Sequence, residues 1–161
     1  GYGHKDTQHM NSEFTIEFTT SPSWFRTIRQ LIFTSSTQCG FDTRTAGQIA
    51  MAVDEALCNI HRHGYRGTFG RATLHAKATS KTDPRITIEI YDEAKQVDVL
   101  QIKSRNLDEV RPGGLGVHLI QTVMDEAIWT KRDAGGMCLS MSKTSKSTTE
   151  HPLTAESNMH D

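Results

Sequence analysis

Apolar and polar residues alternate strictly over "EFTIEFTT" (13–20), which puts Phe14, Ile16 and Phe18 on one side of an extended chain. That two-residue period is the mark of a half-buried strand. The period then lengthens. "SPSWFRTIRQLIFTSSTQCGF" opens with Ser21 as an N-cap and Pro22 at the first helical position, and Gly40 closes it, predicting a helix of about four turns. A second helix is predicted from Asp42 to about His63, because Ile49, Val53, Ala56, Leu57 and Ile60 fall on one stripe at the 3.6-residue period, with Gly64 as its stop. Alternation returns in "RATLHAKAT" and "RITIEIYD", separated by the turn sequence "SKTDP", and predicts a hairpin. Residues 93–112 have weak periodicity and many charges and read as a long loop. "GGLGVHLIQTVMDE" is a glycine-rich turn entering a helix, and "AIWTKR" and "GMCLSMSK" form a second hairpin around "DAGG".

The predicted order is strand, two helices, two strands, loop, helix, two strands. It implies an α+β fold, a two-layer α/β sandwich whose mixed, mostly antiparallel sheet carries its helices on one face. Residues 1–12 read as an N-terminal extension or expression remnant, 13–143 as the folded domain, and 144–161 as a polar tail expected to be disordered. Composition agrees with a soluble globular chain, 35% hydrophobic and 23% charged. A net charge of −1 provides no global basic field, which argues against nucleic acid or an anionic membrane as partner. No apolar run reaches a membrane span. Cys39, Cys58 and Cys138 are odd in number and show no C-x-x-C spacing, so a reducing, cytoplasmic setting is expected.

Chemistry concentrates on the second helix. Glu55, Asn59 and His63 recur every four residues and form a stripe beside the apolar one, whereas Asp54 points elsewhere. A carboxylate and an amide oxygen on adjacent turns suit a hard cation such as Mg²⁺; the same spacing also occurs on ordinary solvated helix faces. His61 and His63 diverge by about 200° on a helix and do not readily share one zinc ion. Gly113, Gly114, Leu115 and Gly116 precede a helix, where backbone N–H groups and the helix dipole can receive an anion, although the stretch is neither a Walker sequence nor a dinucleotide fingerprint. Met10, Met51, Met124, Met137 and Met141 read as core filler or loop residues, and Trp24 and Trp129 as packing residues.

Taken in order, "AVDEALCNIHRHGY", "IYDEAKQVD" and "GGLGVHLIQTVMDEA" resemble the three motifs of the GHKL (Bergerat-fold) ATPases, and within them the small bacterial anti-sigma factor serine kinases. The resemblance spans about Glu13 to Lys143. It implies ATP and Mg²⁺ as cofactors, with Glu55 as the base that activates an attacking hydroxyl and Asn59 as the Mg²⁺ ligand. His63 and Tyr65 match the residues that follow that motif. Asp92 would accept a hydrogen bond from the adenine amino group, and Val97 and Asp98 match the hydrophobic-acidic pair beyond it. Gly113, Gly114, Leu115 and Gly116 would cradle phosphate, residues 93–112 would form a lid, and "VMDEA" would continue the last helix. The implied partners are a sigma factor and an anti-anti-sigma (STAS-type) protein phosphorylated on serine, with the chain as a homodimer.

One residue departs from the pattern. Ala94 stands where the family has glycine, and its methyl is expected to crowd adenine or, if the backbone needs a positive φ, to cost about 1 kcal/mol. That departure supports a second reading, a catalytically weak partner-switching module of the same fold. A third, the catalytic domain of a histidine kinase, would call for a dimerisation helix upstream of the first strand, for which the 12 preceding residues leave no room.

Overall fold

The structure, a computed structural model, describes residues 11–80, 83–108 and 116–145. Strand β1 (Asn11–Thr19) leads into helix α1 (Pro22–Cys39) and helix α2 (Thr43–Asn59), which runs on into a π-helical turn (Ile60–Gly64). Strands β2 (Arg71–Ser80) and β3 (Pro84–Asp92) follow, then helices α3 (Val99–Asp108) and α4 (Val117–Val123), and strands β4 (Glu126–Lys131) and β5 (Met137–Thr144). The strands lie in the order β1-β2-β3-β5-β4. Each of these pairings is antiparallel. The expected α+β sandwich is thus present, with an antiparallel sheet throughout these five strands.

Local chemistry explains the element ends. Gly40, at φ 119°, takes the left-handed turn that closes α1, and its N–H returns to Ser36 and Thr37. Asp42 caps α2 by accepting from the Thr45 N–H at 2.7 Å. Ser21 has the extended backbone of an N-cap, but its hydroxyl pairs with Ser23 at 2.9 Å and not with the helix.

The alternation in β2 and β3 drives the packing. Leu74, Ile86, Ile88 and Ile90 are fully buried on one sheet face against Ile32 of α1 and Ile49 and Leu57 of α2. Burying each such side chain contributes about 1.5–3 kcal/mol. The opposite face stays polar: there Glu13 of β1 meets His75 of β2 at 2.9 Å, and Thr15 meets the other nitrogen of the same ring at 2.8 Å.

Three expectations are corrected. Residues 93–112 are not one loop, because α3 forms within them. Its Ile102 is buried with Val117 of α4 and Met137 of β5, beside half-buried Val97 and Trp129. Among the described side chains of the helix Ile102 is the buried anchor, and one such anchor beside polar neighbours leaves almost no periodic trace in sequence. Nor does "VMDEA" continue α4. Met124 turns into the core, and Asp125 joins the sheet, donating its N–H to Ser142 O at 2.9 Å and accepting from the Thr144 N–H at 2.7 Å. Trp24, finally, is 53% exposed and is not a packing residue, and Met51 is 47% exposed on the outer face of α2. Met124, Met137 and Met141 are buried as expected; Met10 lies outside the described residues.

Candidate functional site

The motif helix and the end of β3 meet at one cleft. Asn59 and Ile60 line it from the C-terminal end of α2, Asp92 and Ala94 from the end of β3, Ile102 from α3, Ile120 from α4, and Met137 and Leu139 from β5. Ile90, Ile120 and Leu139 make its walls apolar, so a flat aromatic ring would lose little by entering.

Asp92 is the buried carboxylate of this pocket. It is only 5% exposed, and its Oδ1 accepts the backbone N–H of Ala94 and that of Met137, each at 3.0 Å. Two such bonds offset the cost of burying a carboxylate and fix its direction. The surrounding loop is tied to the β4–β5 turn. Arg132 donates to the Asp92 carbonyl at 2.6 Å and stands 5.3 Å over the Tyr91 ring. Gln96 donates to the carbonyls of Arg132 at 2.6 Å and Gly136 at 3.1 Å, and Lys131 pairs with Asp98 at 3.3 Å. Tyr65 braces the other side, donating to Arg71 O at 2.5 Å and accepting the Glu93 N–H at 2.8 Å. Burial, the largest influence, with the Asp92 and Glu93 carboxylates beside it, raises the Tyr65 phenol above its ordinary pKa, so it stays a donor.

The structure brings some of the expected residues together and separates others. Asn59, 8% exposed, lines the cleft with Asp92 and Ala94. Glu55 lies one turn earlier on α2, about 6 Å along the axis, half-buried on the flank outside the cleft lining. His63 sits half-buried in the π turn, away from that lining. Asp98 is exposed, its carbonyl accepting from the first turn of α3. Gly116, at φ 57° and ψ −130°, starts α4 in a conformation that favours glycine. Gly113, Gly114 and Leu115 lie outside the described residues. Asp54 pairs with Arg29 of α1 at 3.6 Å, away from the stripe, as its helical angle requires.

Ala94 is unstrained: Arg66 is the one non-glycine residue with positive φ among those described. The strain considered for Ala94 therefore does not arise. Three participants had no recognisable sequence signal as site residues, namely the Met137 N–H, the Gln96 amide and the Arg132 guanidinium. For Gly136 the paired glycines of "DAGG" were the available hint.

Cys58, beside Glu55, is not a reactive group. Burial, then the Asp54 and Glu55 carboxylates, push its thiol up to about 11. At pH 8 its thiolate fraction should be about two orders of magnitude below that of an exposed cysteine. Labelling of Cys58 by a thiol reagent at the rate of a model peptide would contradict this. Among the described residues no group of three His, Cys, Asp or Glu gathers to hold a metal ion, and no helix is long and apolar enough to cross a membrane.

The chain is similar in sequence to known proteins. Over 113 residues the chain is 26% identical to the serine-protein kinase RsbW of Bacillus pumilus (strain SAFR-032), covering 65% of this chain and 70% of that protein. It is 32% identical over 100 residues to the anti-sigma F factor of Thermoanaerobacter sp. (strain X514), covering 59% and 67%. With the serine-protein kinase RsbW of Staphylococcus epidermidis it shares 34% identity over 103 residues, covering 58% and 62%. The family described as the histidine kinase-like ATPase domain matches residues 18–143, a span holding the motif helix, the Asp92 loop and Gly116, and the chain belongs to that family.

Proposed function

We propose that the chain is an ATP-dependent protein serine kinase and anti-sigma factor, a cytoplasmic homodimer that sequesters a sigma factor and phosphorylates a STAS-type anti-anti-sigma protein. The observation that supports it most is Asp92, a buried carboxylate aligned by two backbone N–H groups at the floor of an apolar cleft. Such a group reads an exocyclic amino group by accepting its hydrogen bond, while Ile90, Ile120 and Leu139 cover the ring faces. The relatives' names, serine-protein kinase RsbW and anti-sigma F factor, support a protein serine acceptor and a sigma factor partner, and the STAS-type acceptor follows from the family resemblance.

In this reading Asn59 holds the phosphate end of the nucleotide, and Gly113, Gly114, Leu115 and Gly116 present N–H groups to it. Glu55 accepts the proton of the acceptor serine as its oxygen bonds to the γ-phosphorus and the bridging oxygen leaves with ADP. The Asn59 side-chain oxygen is a fitting hard ligand, and a bound Mg²⁺ would neutralise charge on the phosphates, with phosphate and water completing its shell. Helix α3 belongs to the lid over the site, and closing it excludes water from the transfer. The reading of the chain as a module without catalysis rested on Ala94, whose ordinary φ removes the strain part of that support.

Calorimetric titration of ATP with Mg²⁺ tests the site: saturable binding is expected in wild type, and Asn59→Ala should weaken it about tenfold, the loss of about one charge-assisted contact. Absence of saturable heat in wild type would sink the nucleotide reading. Transfer of labelled phosphate to serine of a STAS-type protein tests the kinase reading.

A further inference from the structure

The π turn delivers Gly64 to the cleft wall directly against Ala94: a Cβ built on Gly64 would lie 3.0 Å from the Ala94 methyl. That is closer than two carbon atoms pack without displacement. Gly64 has no positive φ that would by itself demand glycine, so the contact, and not the backbone, constrains this position. Ala94 in turn is buried, and its N–H is one of the two donors that aim the Asp92 carboxylate. The contact therefore has room for one methyl group, and here that methyl belongs to Ala94.

We propose that Gly64 is a positioning residue for the Asp92–Ala94 loop, its missing side chain forming the seat that takes the Ala94 methyl and keeps Asp92 aligned for base recognition. A second methyl must push either the loop or the π turn. Moving the loop draws the Ala94 N–H away from Asp92 Oδ1, and the carboxylate loses its aim. On this account Ala94 does not intrude on the base, because its methyl is spent on the helix end. The role in base recognition rests on the nucleotide reading above; the steric coupling does not.

Gly64→Ala, Ala94→Gly and the double variant test the seat, with affinities for ATP and inosine triphosphate and with urea unfolding in the absence of nucleotide. Gly64→Ala should lose about tenfold in ATP affinity and less for inosine triphosphate, which lacks the amino group Asp92 would read. Adding Ala94→Gly should restore most of the ATP affinity. Equal losses for the two nucleotides, no rescue in the double variant, or a tenfold gain in ATP affinity from Ala94→Gly alone would each overturn the proposal. Should Gly64→Ala fail to fold, a folded double variant supports the seat and an unfolded one refutes it. Should wild type bind no nucleotide, the proposed function fails separately, and rescue or its absence in urea unfolding still decides the coupling.

Discussion

Glu55→Ala is expected to slow serine phosphorylation about 10²- to 10⁴-fold while ATP binding stays close to that of wild type. The separation follows from where the residue sits. Glu55 is on the flank of α2, one turn before Asn59 and outside the lining of the cleft, so its carboxylate is not needed to seat the nucleotide. A base that takes a proton from the acceptor hydroxyl acts only as the transition state forms, so its loss lowers the rate and spares binding. Single-turnover transfer to a STAS-type acceptor measures the first quantity and calorimetry the second. Equal transfer rates in the two proteins would remove Glu55 from the mechanism.

The second large effect is structural. Gly136, at φ 80°, runs so close to the end of β3 that a Cβ would lie 1.9 Å from the Asp92 carbonyl oxygen and 2.9 Å from the Glu93 Cα. All of these are backbone atoms, and none can rotate aside. Gly136→Ala must therefore lift the β4–β5 turn off the loop, breaking the Met137 bond to the Asp92 carboxylate and the Arg132 bond to its carbonyl. The combined cost of left-handed backbone and overpacking is about 2–5 kcal/mol. Gly135 provides the control, since it too has positive φ, 97°, but a Cβ there would meet nothing within 4 Å. Gly135→Ala should lose only the backbone part, about 1–2 kcal/mol. Urea midpoints read the difference, and equal shifts for the two variants would show that the close approach does not matter.

Most of the fold is legible in the sequence because its signals are local. The alternation of β2 and β3, the Asp42 cap and the Gly40 closure each need only neighbouring residues to be understood. Where the outcome depends on partners distant in the chain, reading fails. Trp24 looks like a core residue until the packing of α1 is known, and α3 is invisible until Val117 and Met137 offer Ile102 a place to bury. The end of α4 is decided by Thr144, far along the chain, because it binds Asp125 and claims that residue for the sheet. The site divides in the same way. Asn59 shows in the stripe it forms with Glu55, and Asp92 in its place within the ordered motifs, whereas the donors that aim Asp92 are a backbone N–H of Ala94 and another of Met137, which any residue but proline could supply.

The π turn has a consequence for how the chain can change length. A π turn is an α-helix carrying one residue more than its hydrogen-bond ladder needs, so Ile60–Gly64 accommodates what amounts to a single-residue insertion after Asn59. Because the turn takes up that residue, the chain beyond it keeps its direction, whereas one residue added to an unbroken α-helix would rotate everything beyond it by about 100°. Tyr65 is the first residue past the turn, and its hydroxyl joins the start of β2 at Arg71 to the end of β3 at Glu93. A second added residue, with no further bulge to absorb it, would swing that hydroxyl away from both strands at once. An insertion that most helix ends absorb by fraying would here open the mouth of the cleft, so this short stretch is length-sensitive even at positions whose side chains touch nothing in the site.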